Sequence, residues 1–413
     1  MDNKTPQQLR AERQKYLRIQ RGIRMGAIAF AIILSIISLC VSCSTKKSVE
    51  DLAAQLRAKK IAQAQEELQA AQASASPAPS SEAVTGGTTV TLSFVGSCTL
   101  GMDENDGYDG SFGEYYDNYG AGYFFQNVKS IFEGDDLTVA SLESTLTLSD
   151  TRQDRDRALR ADPSYADILT QGGIDATDVA NDHIYDYGNE GYVDTLANLD
   201  NAGIGRFGFD NVLTTQVSGT ALPNAAIQSS MVEQDGISIG LVGVWQDSEQ
   251  DYESMALDSV NELQEQKAQI IVVMIHWSSE DPSIPDDGQI SLAHSLINAG
   301  ADLIIGIQPQ AMQGIECYQG KYIVYSLGSF LSGDTAPESM DTMIFQQTFT
   351  VANGEAQSDA PFEIIPCSIS TDATANTYCP TPASGDDADR ILDEIYALSD
   401  QLDGGIRPEQ DAA

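Results

Sequence analysis

Basic side chains and histidine are the scarce residues of this sequence. Its 413 residues include 22 Lys and Arg against 61 Asp and Glu, with three His and two Trp, for a net charge of −39. The scarcity is uneven. Twelve of the 22 cations fall in residues 1–60 beside only four acids, which leaves residues 61–413 with 10 basic and 57 acidic side chains, a net of −47. Nucleic acid is excluded as a partner of such a body, because affinity for phosphate backbones rests on cationic neutralisation. Other polyanions are disfavoured at long range unless cations bridge the two. No Gly-x-Ser-x-Gly, P-loop or dinucleotide fingerprint occurs, and there is no internal repeat. What is present is apolar content of 42%, enough for a large core, so wholesale disorder is excluded as well.

The first 87 residues read as a tether. Met25–Cys43 is a 19-residue run without charge, and as a helix it spans roughly 28 Å, the thickness of a bilayer core. Lys4, Arg10, Arg13, Lys15, Arg18, Arg21 and Arg24 precede it, which places residues 1–24 in the cytoplasm as a basic tail and everything after Ser44 outside. A cleaved signal peptide, or a lipoprotein signal ending at Cys40 or Cys43, competes with an uncleaved anchor. The run is longer than a usual signal core and lacks the small-residue pattern that cleavage favours, so a single-pass anchor is the expectation. Residues 44–87 combine a helix-forming, Gly- and Pro-free stretch over Val49–Gln72 with a Ser-, Ala- and Pro-rich spacer, and read as a helical stalk and flexible linker.

From Thr88 onward the pattern is α/β with antiparallel additions. Strands are predicted at 89–95, 136–142, 176–180, 237–244, 269–275 and 301–305, helices at 188–202 and 291–299, and a hairpin over 315–330 turning at Gln319-Gly320. Residues 88–370 form the main domain; 371–413 read as an acidic terminal segment with a helix over 386–402 and a disordered end past Asp403. Cys367 and Cys379 flank a polar loop and are candidates to pair, whereas Cys98 and Cys317 read as buried and free. Asp103–Asp109 has the alternating acids of a calcium loop without its closing Glu, and reads as a solvated acidic loop. The aromatics from Tyr108 to Phe125 read as packing that loop onto the domain, or as a cover or glycan-binding face for the site.

In α/β sheets functional side chains gather at the carboxyl ends of strands. Those ends here carry Ser97, Glu143, Asn181-Asp182-His183, His276 and Gln308-Pro309-Gln310. Carboxylates and imidazoles converging from separate elements are what a divalent metal takes, so Glu143, Asp182 and His276 are the candidate metal ligands and His183 the candidate general acid. Ser97, Asn181, Gln308 and Gln310 are candidate substrate contacts. Each alone reads equally as a hydrogen-bonded structural residue; joint placement is what raises them.

The same residues carry a resemblance. Phe94-Val95-Gly96-Ser97-Cys98-Thr99-Leu100-Gly101, Ala140-Ser141-Leu142-Glu143-Ser144, Val179-Ala180-Asn181-Asp182-His183 with Asp186-Tyr187-Gly188, Ile275-His276-Trp277 and Tyr325-Ser326-Leu327-Gly328-Ser329-Phe330 resemble the ordered blocks of the CapA family of capsule-synthesis proteins associated with poly-γ-glutamate. The resemblance covers about residues 90–332 and implies a four-layer α/β/β/α sandwich of the metallophosphatase type, exported and tethered to the membrane. It implies a role in the biosynthesis, export or retention of a cell-surface polymer, with that polymer or its synthesis proteins as partners. This chain departs from the family pattern at Ser97, Ser141, Asp182, Ser329 and, most severely, Gln308 and Gln310, where the family has His. Such a site is expected to hold one divalent ion (Mn, Zn or Mg) or none, and a metal-dependent hydrolase of phosphoester or amide bonds is the alternative function.

Overall fold

Strand β1 (Thr88–Cys98) is the hub of the larger of two main sheets, and the computed structural model places it between parallel and antiparallel neighbours. Residues 87–208, 229–234, 236–246, 251–277, 282–337, 339–357, 361–372 and 374–408 are described. The expected tail, the anchor at 25–43 and all but the last residue of the stalk and linker lie outside them. Among the described residues no helix is long and apolar enough to cross a membrane.

On one side of β1 run β2 (Leu137–Leu142), β3 (Ala176–Asp178) and β4 (Gly205–Phe207), all parallel. The second main sheet contains β5 (Ser229–Gln234), β6 (Ile237–Trp245), β7 (Ile270–His276), β8 (Leu303–Ile307) and the hairpin β9 (Ile315–Tyr318) and β10 (Lys321–Val324), in the order β9-β10-β8-β7-β6-β5. The three strands β6, β7 and β8 are parallel, with His276 level with Trp245 and Ile307. β11 (Ser329–Leu331) returns to the first sheet alongside β1; β12 (Asp341–Ala352), β13 (Phe362–Ser368) and β14 (Thr381–Pro382) extend that sheet antiparallel.

Strands that read as unbroken apolar runs bury both faces. In β7, Val272 and Met274 join a cluster that includes Phe94, Val139, Leu241, Ile305 and Phe345, residues of both sheets, so this core lies between them. Ile271, Val273 and Ile275 face the other way, onto Val260 and Leu263 of α4 (Tyr252–Glu265) and Leu292 and Leu296 of α5 (Asp287–Ala299). The outer face of the first sheet, through Val95, Ala140 and Leu142, packs on Phe112 of α1 (Phe112–Tyr119), Ile168 and Leu169 of α2 (Ala166–Gly172), and Tyr192 and Leu199 of α3 (Gly188–Ala202). Three apolar clusters thus separate helices, sheet, sheet and helices. α5 stops at left-handed Gly300, as expected, but starts four residues before the expected 291, on a capping box between Asp286 and Gln289.

Several expectations need correction. Strand β3 ends at Asp178 rather than Ala180, because the Asp178 carboxylate accepts the Ala180 N–H and turns the chain. The terminal segment does not stand apart: β14 pairs with β13, and Ile391 and Ile395 of α6 (Asp386–Ser399) enter the inter-sheet core. Residues 404–408 are not loose, since Ile406 is fully buried and its N–H bonds Ile315 O on the edge strand β9. Cys367 and Cys379 are both free. Cys367 sits in β13, while Cys379 accepts the Asn127 side-chain amide at 3.4 Å on another element. Cys98 is buried and in no disulfide, as expected; Cys317 is likewise in no disulfide but only half-buried. The acidic loop is not simply solvated, because Asp103 is 2% exposed and accepts Ala158 N–H and the Arg152 guanidinium. Phe112, Phe124 and Phe125 do pack that region onto the domain.

Candidate functional site

The parallel strands deliver their side chains to one edge in register. Ser97 of β1 is level with Ser141 of β2, which is level with Asp178 of β3; the loops that follow carry Glu143 and Asn181–Asp186. From the second sheet β7 ends in His276, and Trp277 behind it is fixed by donating Nε1–H to Tyr325 O at 2.9 Å. His276 is 3% exposed and lies between two carboxylates, with Nδ1 3.4 Å from Glu143 Oε1 and Nε2 3.3 Å from Asp182 Oδ1. Burial alone would lower its pKa, but Asp182 and Glu143 on either side outweigh it and push the value up to about 10. The three predicted ligands therefore do meet.

Each is held by further contacts. Ser97 donates its hydroxyl to Glu143 Oε1 at 2.5 Å. Arg155 donates to Asp182 Oδ2 at 2.5 Å, to the Asp182 carbonyl at 2.7 Å and to Asp186 Oδ1 at 2.6 Å. Burial favours the neutral form of Asp182, but His276, His183 and Arg155 hold its carboxyl well below the usual range. Asp186, fully buried, also accepts Leu159 N–H at 2.6 Å and faces His183 Nδ1 at 2.8 Å. That carboxylate orients the ring and, with Asp182, raises its pKa against the effect of burial. A carboxylate-backed imidazole can hold a proton and deliver it to a bound group. The predicted substrate contacts fare differently. Asn181 spends its amide on Leu142 O and His183 N, bracing the turn. Gln308 and Gln310 follow β8 at the strand end beside His276, where the 308–310 loop is pinned by Ser326 Oγ donating to Pro309 O and Ser329 N to Gln310 O.

A cavity of about 360 Å³ opens on this edge, lined by Gln153, Arg155, Asp182, Tyr185, Gly188 and Asn189. Arg155 was invisible among strand-end motifs because it lies on a connecting segment. One signal was available: Arg152, Arg155, Arg157 and Arg160 are four of the ten cations in residues 61–413. Asp178 was also missed. It is fully buried, its Oδ2 has no hydrogen-bond partner, and burial pushes its carboxyl well above the ordinary value, with the nearby Glu143 adding to this and His276 opposing it.

The metallophosphatase resemblance implies a divalent ion, and the donor chemistry tests it. One ion bound by Glu143, Asp182 and His276 needs three donor atoms aimed at one point about 2.0–2.2 Å away. His276 instead turns opposite ring nitrogens to the two carboxylates, so the three share no point. Among the described residues no group of three or more His, Cys, Asp or Glu side chains is arranged to hold a metal ion. Arg155 and Ser97 further occupy oxygens that an ion would need. As arranged, the residues do not fit a three-donor ion. His276 Nδ1 and Asp182 Oδ1 are nevertheless buried atoms without an aligned hydrogen bond, which leaves a place for a water or a polar ligand atom.

Compared with known proteins, residues 91–334 match the family model described as bacterial capsule synthesis protein PGA_cap, more than half of the chain and the span that contains every site residue above. The PGA biosynthesis protein CapA of Bacillus subtilis (strain 168) is 28% identical over 265 residues, covering 60% of this chain and 66% of that protein. The capsule biosynthesis protein CapA of Bacillus anthracis is 25% identical over 275 residues, covering 62% and 63%. The chain thus spans just under two thirds of the length of either relative. Among solved structures, a hypothetical protein from Thermus thermophilus aligns over 67% of this chain and 99% of its own, at 16% identity and a TM-score of 0.39.

Proposed function

Because the chain belongs to the bacterial capsule synthesis protein PGA_cap family, we propose that it acts in the biosynthesis, export or retention of a cell-surface polymer of the poly-γ-glutamate type. In this reading residues 25–43 hold it in the membrane, with its tail in the cytoplasm and its body, of the metallophosphatase type, outside among the polymer and its synthesis proteins. The observation that carries the reading is that the family's separate sequence blocks supply one contiguous polar cluster, the buried Ser97, Glu143, Asp186 and His276 with the half-buried Asp182, beside a cavity. The Gln153 and Asn189 amides meet the amide groups of a polymer segment in that cavity, and His183, backed by Asp186, is the proton donor. A body at −47 repels free polyanion at a distance, so contact is made locally and with cations present. Complementation of a deletion strain tests this. The wild-type gene should restore surface polymer and His276→Gln, accumulated to the same level, should not; an envelope unchanged by the deletion sinks the reading.

The second reading is a metal-dependent hydrolase of phosphoester or amide bonds, favoured by His276 Nδ1 and Asp182 Oδ1, buried atoms that make no aligned hydrogen bond. Elemental analysis of the purified chain with and without added Mn²⁺ or Zn²⁺ decides it. Stoichiometric metal that is lost in His276→Ala supports the hydrolase, and no metal in either protein counts against it.

A further inference from the structure

We infer that the Arg155 guanidinium is the permanent cation that bridges Asp182 and Asp186, taking beside His276 the charge-balancing part that a divalent metal ion would otherwise play. Asp182 and Asp186 present carboxylates from two ends of one short turn, and like charges so placed repel unless something positive lies between them. Arg155 lies there. It reaches Asp182 Oδ2 at 2.5 Å, Asp182 O at 2.7 Å and Asp186 Oδ1 at 2.6 Å, two carboxylates and a main-chain carbonyl from one planar fork. These are the hard oxygen donors that Mn²⁺ or Mg²⁺ would take. A guanidinium is permanently charged and fits paired oxygens, so it competes with an ion for the same lone pairs at every physiological pH.

The surrounding segment supports this assignment. In a body with ten cations, the four within residues 152–160 each pair with a carboxylate: Arg152 with Asp103 at 2.8 Å, Arg155 as above, Arg157 with Asp334 at 2.5 Å and Arg160 with Asp150 at 3.2 Å. The chain thus brings fixed positive charge to the edge where acids concentrate. Nothing in this depends on which polymer the protein serves.

The test is calorimetric titration of the full chain, freed of metal with a chelator, using MnCl₂ and ZnCl₂ alone. Wild type should take up no stoichiometric ion, while Arg155→Gln, which frees Asp182 Oδ2, Asp182 O and Asp186 Oδ1, should bind one ion per molecule, at least about tenfold more tightly than any residual wild-type uptake. The added Arg155→Gln/His276→Gln pair of changes should lose that gain. A wild-type chain that binds one ion per molecule overturns the inference, as does Arg155→Gln that gains nothing, or a gain that survives loss of His276. If Arg155→Gln does not fold, Arg155→Lys, which keeps the charge, should remain as ion-free as wild type, and stoichiometric uptake by it overturns the inference equally. Failure of the polymer reading would leave these isotherms unchanged, so the two fail separately.

Discussion

At the scale of single residues, His276 is a cation held by two carboxylates in a place where burial disfavours charge. Its pKa is raised from 6.5 to about 10, so the stabilisation it contributes is whole below pH 6.5 and is lost as pH rises through about 10. Unfolding midpoints in urea should therefore fall across that window in wild type and flatten in His276→Gln. That variant should be less stable at neutral pH by about 3 kcal/mol, because Glu143 is left buried without its partner. Asp178 runs the other way. Burial raises its carboxyl pKa well above the ordinary value, which costs stability as pH rises above the ordinary Asp value. Asp178→Asn should fold at neutral pH with stability equal to or above that of wild type; a loss of more than about 1 kcal/mol would mean that Oδ2 meets a donor. Ser97 and Arg155 complete the network by hydrogen bonds to charged oxygens, the stronger class of such bonds.

At the scale of elements, the site exists because two sheets end their parallel strands at the same edge and stay close there. Gly243 of β6 is what lets them. A Cβ at this position would lie 2.2 Å from Oδ1 of Asp178 on the facing sheet and 2.5 Å from the Cα of Gly208, just past the end of β4. Gly243→Ala must push β6 away from β3, and by the usual cost of overpacking it should lose about 1–3 kcal/mol. It should also weaken the His276 contacts, read as a smaller fall in stability between pH 6.5 and about 10. An unaffected midpoint would show that the sheets can separate freely at this point. The identity of the elements was largely legible. Helix α3 spans Gly188–Ala202, the range the apolar spacing and Gly203 predict, and β7 is the expected 269–275 strand shifted on by one residue at both ends, so that it includes His276. The end of β3 was not legible, because it depends on a side chain capping its own backbone.

At the scale of the whole molecule, charge governs behaviour. Residues 61–413 carry −47, and self-repulsion of that size opposes compactness. Raising ionic strength from about 0.01 M to about 1 M shortens the screening length from about 30 Å to about 3 Å, so thermal stability should rise with NaCl, the reverse of what loss of exposed ion pairs alone would give. A melting temperature that falls steadily with salt would mean that the arginine pairs at 152–160 outweigh the bulk repulsion. The acidic terminal segment follows the same logic. Ile391, Ile395 and Ile406 are buried against the body despite the acids around them, because apolar burial outweighs the local repulsion.

The sequence by itself determined the α/β class, the anchor expectation, the family resemblance and the strand ends that bear Glu143, Asp182, His183 and His276, since all of these depend on local pattern and on residue order. Only the tertiary structure decided what those residues do to one another. That His276 divides its two nitrogens between two carboxylates, that Arg155 holds Asp182 and Asp186, and that Cys367 and Cys379 stay apart are consequences of distances between elements remote in the chain. Such distances are set by how the two sheets pack, and no local pattern encodes them.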